Sequence, residues 1–218
     1  MNQPPPGRSS KKPPRPPARS APTPRGGRPP GGSTAPPGQP PGRGARPRSL
    51  IRAVPDFPRP GVLFRDITPM LANPRAFHMI LDGMAEHFIG EHIDVVAGVE
   101  ARGFIFGGAL AARLNACFVP LRKPGKLPGE LDRVSYDLEY GSTALEIQAD
   151  LIQAGDTVVI VDDVLATGGT AAAAAELIRR QGGYVAAFAF AVEIRGLEGR
   201  ERLAPTAVLS LISFGEGE

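Results

Sequence analysis

The sequence has 218 residues, a formal net charge of +3 and 42% hydrophobic side chains, enough for one substantial domain with a packed core. Its single cysteine, Cys117, excludes an intramolecular disulfide and is typical of a reducing compartment. No apolar run reaches the roughly 18 residues that a membrane-spanning helix needs, so we expect no membrane association and a cytoplasmic location.

The first 48 residues differ in composition from the rest of the chain. Residues 1–49 contain ten of the 25 Lys and Arg and no Asp or Glu, and residues 1–48 hold 16 of the 25 prolines. Because few of these side chains can form a core, the composition predicts a disordered basic tail over 1–48 and one folded domain over 49–218. Such a tail either has no specific partner or binds polyanions non-specifically, since it has no aromatic residue to stack on a base.

The rest of the chain alternates between helix-like and strand-like segments. In chain order we predict a helix over 74–88, a strand over 93–99, a helix over 104–114, a strand over 117–121, a loop or hairpin over 122–141, a strand over 157–161, a helix over 169–181, and strands over 184–194 and 207–212. Strands separated by helices predict an α/β fold with a mostly parallel sheet covered on both faces. Ligands of such folds bind at the carboxyl ends of the strands, so functional residues are expected there.

The strongest functional signal is the segment 158–170, VVIVDDVLATGGT. A buried strand ends at Asp162 and Asp163, and Gly168 and Gly169 then lead into an Ala-rich helix. Glycines let a phosphate approach the backbone, and the first-turn amides of a helix attract it. Carboxylates beside a phosphate loop need another partner, and ribose hydroxyls or a magnesium ion are suitable. The segment therefore predicts a sugar-phosphate site.

This segment resembles the phosphoribosyl pyrophosphate motif of the type I phosphoribosyltransferases, and its LATGGT part is similar to the adenine-specific members. The resemblance extends over about residues 50–214. It implies the type I phosphoribosyltransferase fold, in which a mostly parallel sheet is flanked by helices and carries a small flexible hood. It also implies that Asp162 and Asp163 hold the ribose hydroxyls. The residues that would bind the 5′-phosphate are Ala166, Thr167, Gly168, Gly169 and Thr170.

The segment 57–69, FPRPGVLFRDITP, has two interpretations. From its residues alone it could be only a Pro-rich entry loop. In the adenine phosphoribosyltransferases the similar segment forms the purine pocket. By that resemblance Phe64 stacks on the adenine ring, and the backbone around Leu63 and Arg65 binds the edge of the ring. Val164 would form the second face of this slot.

The segment 99–107, VEARGFIFG, directly follows a predicted strand. Its Glu100, Ala101 and Arg102 are similar to the pyrophosphate loop of the family, and the planar guanidinium of Arg102 suits phosphate oxygens. In the family this loop often contains a non-proline cis peptide bond, whose equivalent here would be Glu100–Ala101. The alternative is an arginine in a surface salt bridge.

The segment 122–141, RKPGKLPGELDRVSYDLEYG, combines cations with prolines and glycines and suits a mobile flap better than a core element. The resemblance implies a hood whose Arg122, Lys123 and Lys126 approach pyrophosphate, partly on the neighbouring subunit of a homodimer. Its YDLEYG end carries the proposed catalytic acid of the family, which falls on Glu139. From the sequence alone, a single glutamate in a hairpin is usually only solvated.

The reaction that the resemblance implies joins adenine N9 to the phosphoribosyl group of phosphoribosyl pyrophosphate, giving AMP and pyrophosphate in purine salvage. Magnesium is the expected cofactor, held mainly by the substrate pyrophosphate and not by a protein metal site. Two alternatives remain: a phosphoribosyltransferase for another purine base, and a regulator that binds phosphoribosyl pyrophosphate without turnover. The presence of both Glu139 and Arg102 argues against the regulator.

Overall fold

The computed structural model describes residues 46–138, 141–215 and 218. Residues 1–45 of the predicted tail lie outside the described residues, so the disorder of the tail stays a prediction. Its last residues are described and belong to the body: Pro47–Leu50 forms a 3₁₀ helix, and Pro47 and Leu50 are buried. Arg48 donates hydrogen bonds to the carbonyl of Ser213 and to the carboxylate of Glu218. The boundary between tail and body therefore falls before Pro47.

The body consists of nine strands and five α-helices within the described residues. In chain order they are β1 (Arg52–Pro55), β2 (Leu63–Asp66), α1 (Thr68–Leu71), α2 (Pro74–His87), β3 (Val95–Val99), α3 (Gly103–Leu114), β4 (Cys117–Leu121), β5 (Leu131–Leu138), β6 (Gly141–Gln148), β7 (Thr157–Leu165), α4 (Gly169–Arg180), β8 (Tyr184–Ile194), α5 (Gly199–Leu203) and β9 (Ala207–Phe214).

Five of the strands form a central parallel sheet in the order β4-β3-β7-β8-β9. Its strands are almost continuously apolar because both faces are covered, as expected for a parallel sheet. In β7, Val159 and Val161 face the core formed with α2 and α3. The alternate residues Val158 and Ile160 face a second core formed with α4. The α/β fold with a mostly parallel sheet flanked by helices is therefore confirmed.

Six predicted elements differ in their bounds from the observed ones, most of them by one or two residues, and one difference concerns the site. The strand predicted to end at Val161 continues through both aspartates to Leu165. It is extended because β8 pairs with it over this stretch, with Val164 opposite Val192 and Leu165 opposite Glu193. The interpretation of Val164 and Leu165 as loop residues was therefore wrong. The strands β4 and β8 have the predicted bounds.

Two segments, for one of which a loop or a hairpin was predicted and for the other an entry loop or a purine pocket, contribute to antiparallel hairpins. β1 and β2 form an antiparallel pair, so the segment 57–69 is not simply an entry loop. β5 and β6 form a second antiparallel hairpin, and β6 was not predicted. Val134, Leu145 and Ile147 of this hairpin are buried against the core of α4, so the base of the predicted hood is a core element. Glu139 and Tyr140, at its tip, lie outside the described residues.

None of the helices in the described part of the chain is both long and apolar enough to cross a membrane.

Candidate active site

The turn from β7 into α4 forms a small concave site at the carboxyl edge of the sheet. A cavity of about 80 Å³ is lined by Asp162 and by the residues from Val164 to Ala171, together with Phe190. Gly168 precedes the first turn of α4 and has a φ of +75°, which L side chains rarely adopt. A Cβ at Gly168 would lie 2.8 Å from the carbonyl oxygen of Gly199. Glycine is therefore required here, and the open amides of the first helical turn face the cavity as an anion site would need.

The two aspartates before this turn have unusual electrostatics. Asp163 is buried, and its Oδ2 accepts no hydrogen bond from the described residues although it lies 2.8 Å from Arg102 Nε in an ion pair. Burial raises the pKa of Asp163, an effect that the charge of Arg102 opposes. Burial also raises the pKa of Asp162 well above its ordinary value, and the neighbouring charge of Asp163 raises it further. Such carboxylates are ready to accept hydrogen bonds from ligand hydroxyls.

The turn from β3 into α3 lies directly beside the aspartates. The peptide bond between Glu100 and Ala101 is cis, as the resemblance implied. Gly103 begins α3 so close to β7 that a Cβ would lie 2.6 Å from the carbonyl oxygen of Val161. This close packing brings Arg102 to Asp163. Since Arg102 contacts the aspartate through Nε, the two terminal nitrogens of its half-exposed guanidinium can bind an anion.

Glu100, which the resemblance places in the pyrophosphate loop, is hydrogen-bonded to the start of the basic segment. Its Oε2 accepts hydrogen bonds from Arg122 Nε at 3.2 Å and from the backbone amide of Lys123 at 3.0 Å. Partial burial acts to raise the pKa of Glu100, but these hydrogen bonds and the charge of Arg122 lower it overall. The carboxylate therefore holds the start of the basic segment.

The basic segment 122–126 is attached to the body by two carboxylates. Besides Glu100, the buried Glu146 of β6 accepts a hydrogen bond from the backbone amide of Gly125 at 3.0 Å. Arg122 also donates to the carbonyl of Lys126 at 3.2 Å. Lys123 and Lys126 are exposed. These contacts present two lysine side chains to solvent next to the β3–α3 turn, where a second phosphate group could bind.

A larger cleft of about 580 Å³ lies next to the small cavity. The two share Asp162, Val164, Ala166 and Thr167 as lining residues. The other predicted residues that line the cleft are Leu63, Phe64, Arg65, Arg102 and Asp163.

Phe64 is oriented in this cleft by two neighbours. Phe57 packs edge-on against it with ring centroids 5.1 Å apart, and the Arg102 guanidinium lies 5.3 Å from its ring centroid. The guanidinium of Arg65 lies 4.2 Å from the ring centroid of Phe214, so this buried side chain is engaged with the end of β9. Among the described residues β2 pairs only with β1, which leaves alternate backbone groups on its other edge for a planar ligand.

The structure thus brings most of the predicted residues together, although in two groups. The residues predicted for the base, the ribose and the 5′-phosphate line the two joined cavities, with Arg102 between them. Glu100, Arg122, Lys123 and Lys126 form the adjacent basic group and do not line the larger cleft. Glu139, the predicted catalytic residue, lies outside the described residues.

Sequence reasoning missed five residues that line the larger cleft, namely Pro58, Arg59, Val62, Ile194 and Leu197. A signal for two of them was available. Ile194 ends β8 and Leu197 follows three residues later, and ligands of parallel α/β sheets bind where strands end. The position of Leu197 opposite the β2 segment depends on the sheet order, which the sequence did not predict.

Comparison with known proteins agrees with this geometry. Residues 70–216 match the family model described as "Phosphoribosyl transferase domain". The adenine phosphoribosyltransferase of Sorangium cellulosum is 62% identical, over 78% of this chain and 88% of the relative, and that of Acidobacterium capsulatum is 57% identical, over 78% and 93%.

Solved structures of the same family superpose on this fold. The adenine phosphoribosyltransferase of Thermoanaerobacter pseudethanolicus has a TM-score of 0.75 at 47% identity, and covers 77% of this chain and 98% of that one. The enzyme of Saccharomyces cerevisiae, complexed with an imino-altritol bisphosphate and adenine, has a TM-score of 0.71 at 42% identity and covers 75% and 95%.

Proposed function

The chain belongs to the adenine phosphoribosyltransferase family, and from this premise we propose how its residues transfer the phosphoribosyl group of phosphoribosyl pyrophosphate to adenine. The products are AMP and pyrophosphate, and the cellular role we propose is purine salvage. The observation that carries the proposal is the shared wall of the two cavities. A ring-sized cleft with Phe64 opens into a small anion cradle at a helix start, with two carboxylates between them.

The ribose 5-phosphate part of the substrate occupies the cradle at the start of α4. The backbone of Ala166–Thr170 and the hydroxyls of Thr167 and Thr170 bind the 5′-phosphate. Asp162 and Asp163 accept hydrogen bonds from the ribose hydroxyls. This assignment is supported by the buried Oδ2 of Asp163, which has no hydrogen-bond partner among the described residues and gains one from a sugar hydroxyl.

Adenine occupies the larger cleft. Phe64 stacks on one face of the ring, and Val164 contacts the other face together with Leu197. The backbone of Leu63 and Arg65 binds the ring edge, since residues two apart on a strand present their backbone groups to the same edge. Backbone N–H and C=O groups match the donor amine and acceptor nitrogens of adenine, and the base is thereby held with N9 toward the ribose.

Pyrophosphate leaves on the side of the β3–α3 turn. Arg102 binds it through its terminal guanidinium nitrogens, and Lys123 and Lys126 approach it from the segment that Glu100 and Glu146 hold. Negative charge builds on the leaving group while positive charge builds on the ribose ring, so these cations stabilise the transition state. Closure of the hood over the site excludes water, which would otherwise hydrolyse the activated sugar.

Magnesium fits this site as a partner of the substrate. The described residues contain no group of three or more His, Cys, Asp or Glu that could hold a metal ion. The carboxylate oxygens of Asp162 and Asp163 are ligands that magnesium accepts, directly or through water, with the phosphates supplying the other ligands. When bound, the ion neutralises charge on pyrophosphate and makes it a better leaving group.

Glu139 is the proposed general acid/base, which acts on the purine at N7 and so tunes N9 as the nucleophile. We expect Glu139→Leu to lower kcat by about 10²- to 10⁴-fold, the usual contribution of a positioned proton donor. The control is Glu130→Gln, an exposed glutamate at the base of the same hood. Wild-type turnover by Glu139→Leu would refute the assignment.

The test of the function is incubation with magnesium, phosphoribosyl pyrophosphate and a mixture of adenine, hypoxanthine, guanine and xanthine, followed by separation of the nucleotides. We expect AMP alone. Another nucleotide would retain the transferase but refute the assignment of the Phe64 cleft to adenine. No nucleotide, with the sugar phosphate still bound, would favour a regulator. The comparisons favour neither alternative.

The protein also acts as a homodimer in our proposal. Ile105 of α3 and Phe118 of the edge strand β4 are large, exposed and apolar, and they lie beside the pyrophosphate side of the site. Phe118 packs edge-on against Phe104, on which the Arg122 guanidinium lies, so this face is continuous with the basic segment. Light scattering should report a dimer that Ile105→Glu dissociates. The control Ile89→Glu, which is exposed at the end of α2, should stay dimeric.

We propose that the basic tail binds polyanions through charge alone. We also propose that the protein is cytoplasmic. Deletion of residues 1–45 spares the described body and removes eight of the ten arginine and lysine residues found in residues 1–49. Weak binding of a single-stranded poly(U) at about 0.15 M salt should disappear on deletion and fall steeply with added salt. Binding that survives the deletion would refute the assignment to the tail.

A further inference from the structure

An ion pair between the buried Glu193 and the exposed Arg200 lies behind the phosphate cradle and does not line it. Glu193, near the end of β8, and Arg200, in the first turn of α5, pair through two contacts: Nε to Oε1 at 3.1 Å and Nη2 to Oε2 at 2.6 Å. Ser210 of β9 donates to the same Oε2, and Arg200 donates to the carbonyl of Val208 at 2.7 Å. Hydrogen bonds from Arg200 lower the pKa of Glu193, so the pair is ionised at neutral pH.

The residue before Arg200 contacts the cradle directly. A Cβ at Gly199 would lie 2.1 Å from the carbonyl oxygen of Ala166, and a Cβ at Gly168 would lie 2.8 Å from the carbonyl of Gly199. The backbones of the cradle and of α5 are thus in contact with no side chain between them. The position of Gly199 therefore decides where Ala166 and Gly168 lie.

The space behind this contact is not filled by packing. A cleft of about 500 Å³ lies on the other side, lined by residues 193–196 and 198–201 together with Leu165, Ser210 and Ser213. Leu203 of α5 is packed in the core beside α4, whereas the first turn of α5 borders this open space. The side chain that spans it is Arg200, which joins α5 to β8 and β9 at once.

We infer that Glu193 and Arg200 are positioning residues for the phosphoribosyl group. They hold Gly199 against the cradle, so that the backbone amides of the cradle meet the 5′-phosphate. This inference rests on the proposed function. It adds two residues that act on the position of the cradle and contact no substrate. A small displacement of a binding loop weakens binding and turnover strongly, because the phosphate contacts are short and directional.

The experiment compares Arg200→Met with Arg202→Met, an exposed arginine two residues later in the same helix. Binding of ribose 5-phosphate is measured by calorimetry, and initial rates give KM for each substrate. We expect Arg200→Met to raise Kd for ribose 5-phosphate and KM for phosphoribosyl pyrophosphate by about tenfold, with KM for adenine changed by at most about twofold. Arg202→Met should match the wild type.

A second variant guards against simple loss of stability. Gly199→Ala leaves the ion pair intact but displaces Ala166, so it should produce the same selective loss of ribose 5-phosphate binding. Combining Glu193→Gln with Arg200→Met should be no worse than Arg200→Met alone, since both remove one interaction.

The inference is overturned if Arg200→Met binds ribose 5-phosphate as Arg202→Met does, or if KM rises equally for both substrates. The calorimetric test measures binding of ribose 5-phosphate and does not require turnover. If the wild type binds ribose 5-phosphate but makes no AMP, the proposed function fails while the positioning pair is still tested.

Discussion

The turns after β3 and β7 have the same construction but opposite electrostatics. Each leads from a buried parallel strand into a helix that begins with glycine, and the two turns touch where Gly103 packs on Val161. After β7, Asp163 is buried and Asp162 is half-buried, and the pKa values of both carboxyl groups are raised. After β3 the pKa of the carboxylate of Glu100 is lowered, since two hydrogen bonds hold it to the basic segment.

This difference in electrostatics suits the two turns to different parts of one substrate. Carboxylates with raised pKa values suit neutral hydroxyl donors of a sugar, whereas a carboxylate that already has cationic partners serves to place those cations. Arg102 links the two turns because it begins at the β3 turn and pairs with Asp163 of the β7 turn. The bond to be broken, between ribose and pyrophosphate, is thus expected at the contact between them.

The largest effect should come from removing this link. Arg102→Met takes away the proposed pyrophosphate ligand and leaves Asp163 buried without its cation, so we expect kcat/KM to fall by about 10³-fold. Initial-rate kinetics and inhibition by added pyrophosphate measure this. Arg113→Met, at the far end of α3, is the control, since Arg113 forms an ion pair with Asp82 on the surface away from the site. A fall in kcat/KM of less than tenfold would contradict the binding of pyrophosphate by Arg102 at the contact between the two turns.

An intermediate effect is expected at the β7 turn, with activity and stability moving in opposite directions. Asp162→Asn should lower kcat/KM by about 10- to 100-fold, the effect of losing a charged acceptor for a hydroxyl. Burial raises the pKa of Asp162 above 3.8, so between 3.8 and the raised value the folded state holds more protons and its stability falls as the pH rises. Removing this carboxylate should therefore stabilise the fold at neutral pH.

Thermal unfolding of wild type and Asp162→Asn from pH 5 to pH 8 measures this stabilisation. A gain of ~1 kcal/mol raises the midpoint by roughly 2–4 °C in a domain of this size. Asp150→Asn, an exposed aspartate outside the site, should leave the midpoint unchanged. A lower midpoint for Asp162→Asn would show that its carboxylate stabilises the fold, and the contrast between the turns would be lost.

The smallest effect is expected at Glu100. Glu100→Gln keeps the shape but weakens its hold on Arg122 and Lys123, so we expect KM for phosphoribosyl pyrophosphate to rise about threefold. The pKa of Glu100 is lowered from 4.5, so its stabilisation is present above 4.5 and is lost as the pH falls through the lowered value. The unfolding midpoint of the wild type should approach that of Glu100→Gln on acidification below pH 4.5. A constant difference between them would contradict the lowered pKa.

Much of the fold could be predicted because local sequence determines it. The apolar runs of β4 and β8 have the predicted bounds, and the glycines at 168 and 169 marked a turn that only a backbone with positive φ can make. The hairpin strands β1 and β6 escaped prediction because a short strand is stabilised by its partner strand and by packing, which its own residues do not show. The strand character of Val164 and Leu165 has the same cause, since β8 supplies the pairing.

By itself, the sequence determined the parallel α/β class, the phosphate loop with its two aspartates, and the resemblance to the adenine phosphoribosyltransferases. The tertiary structure alone decided that Arg102 meets Asp163, that Leu197 lines the Phe64 cleft, and that Gly199 packs against Ala166. The reason is the strand order, in which β3 lies beside β7 although four other elements separate them in the chain. Composition and spacing describe neighbours along the chain, whereas these contacts depend on which strands become neighbours in space.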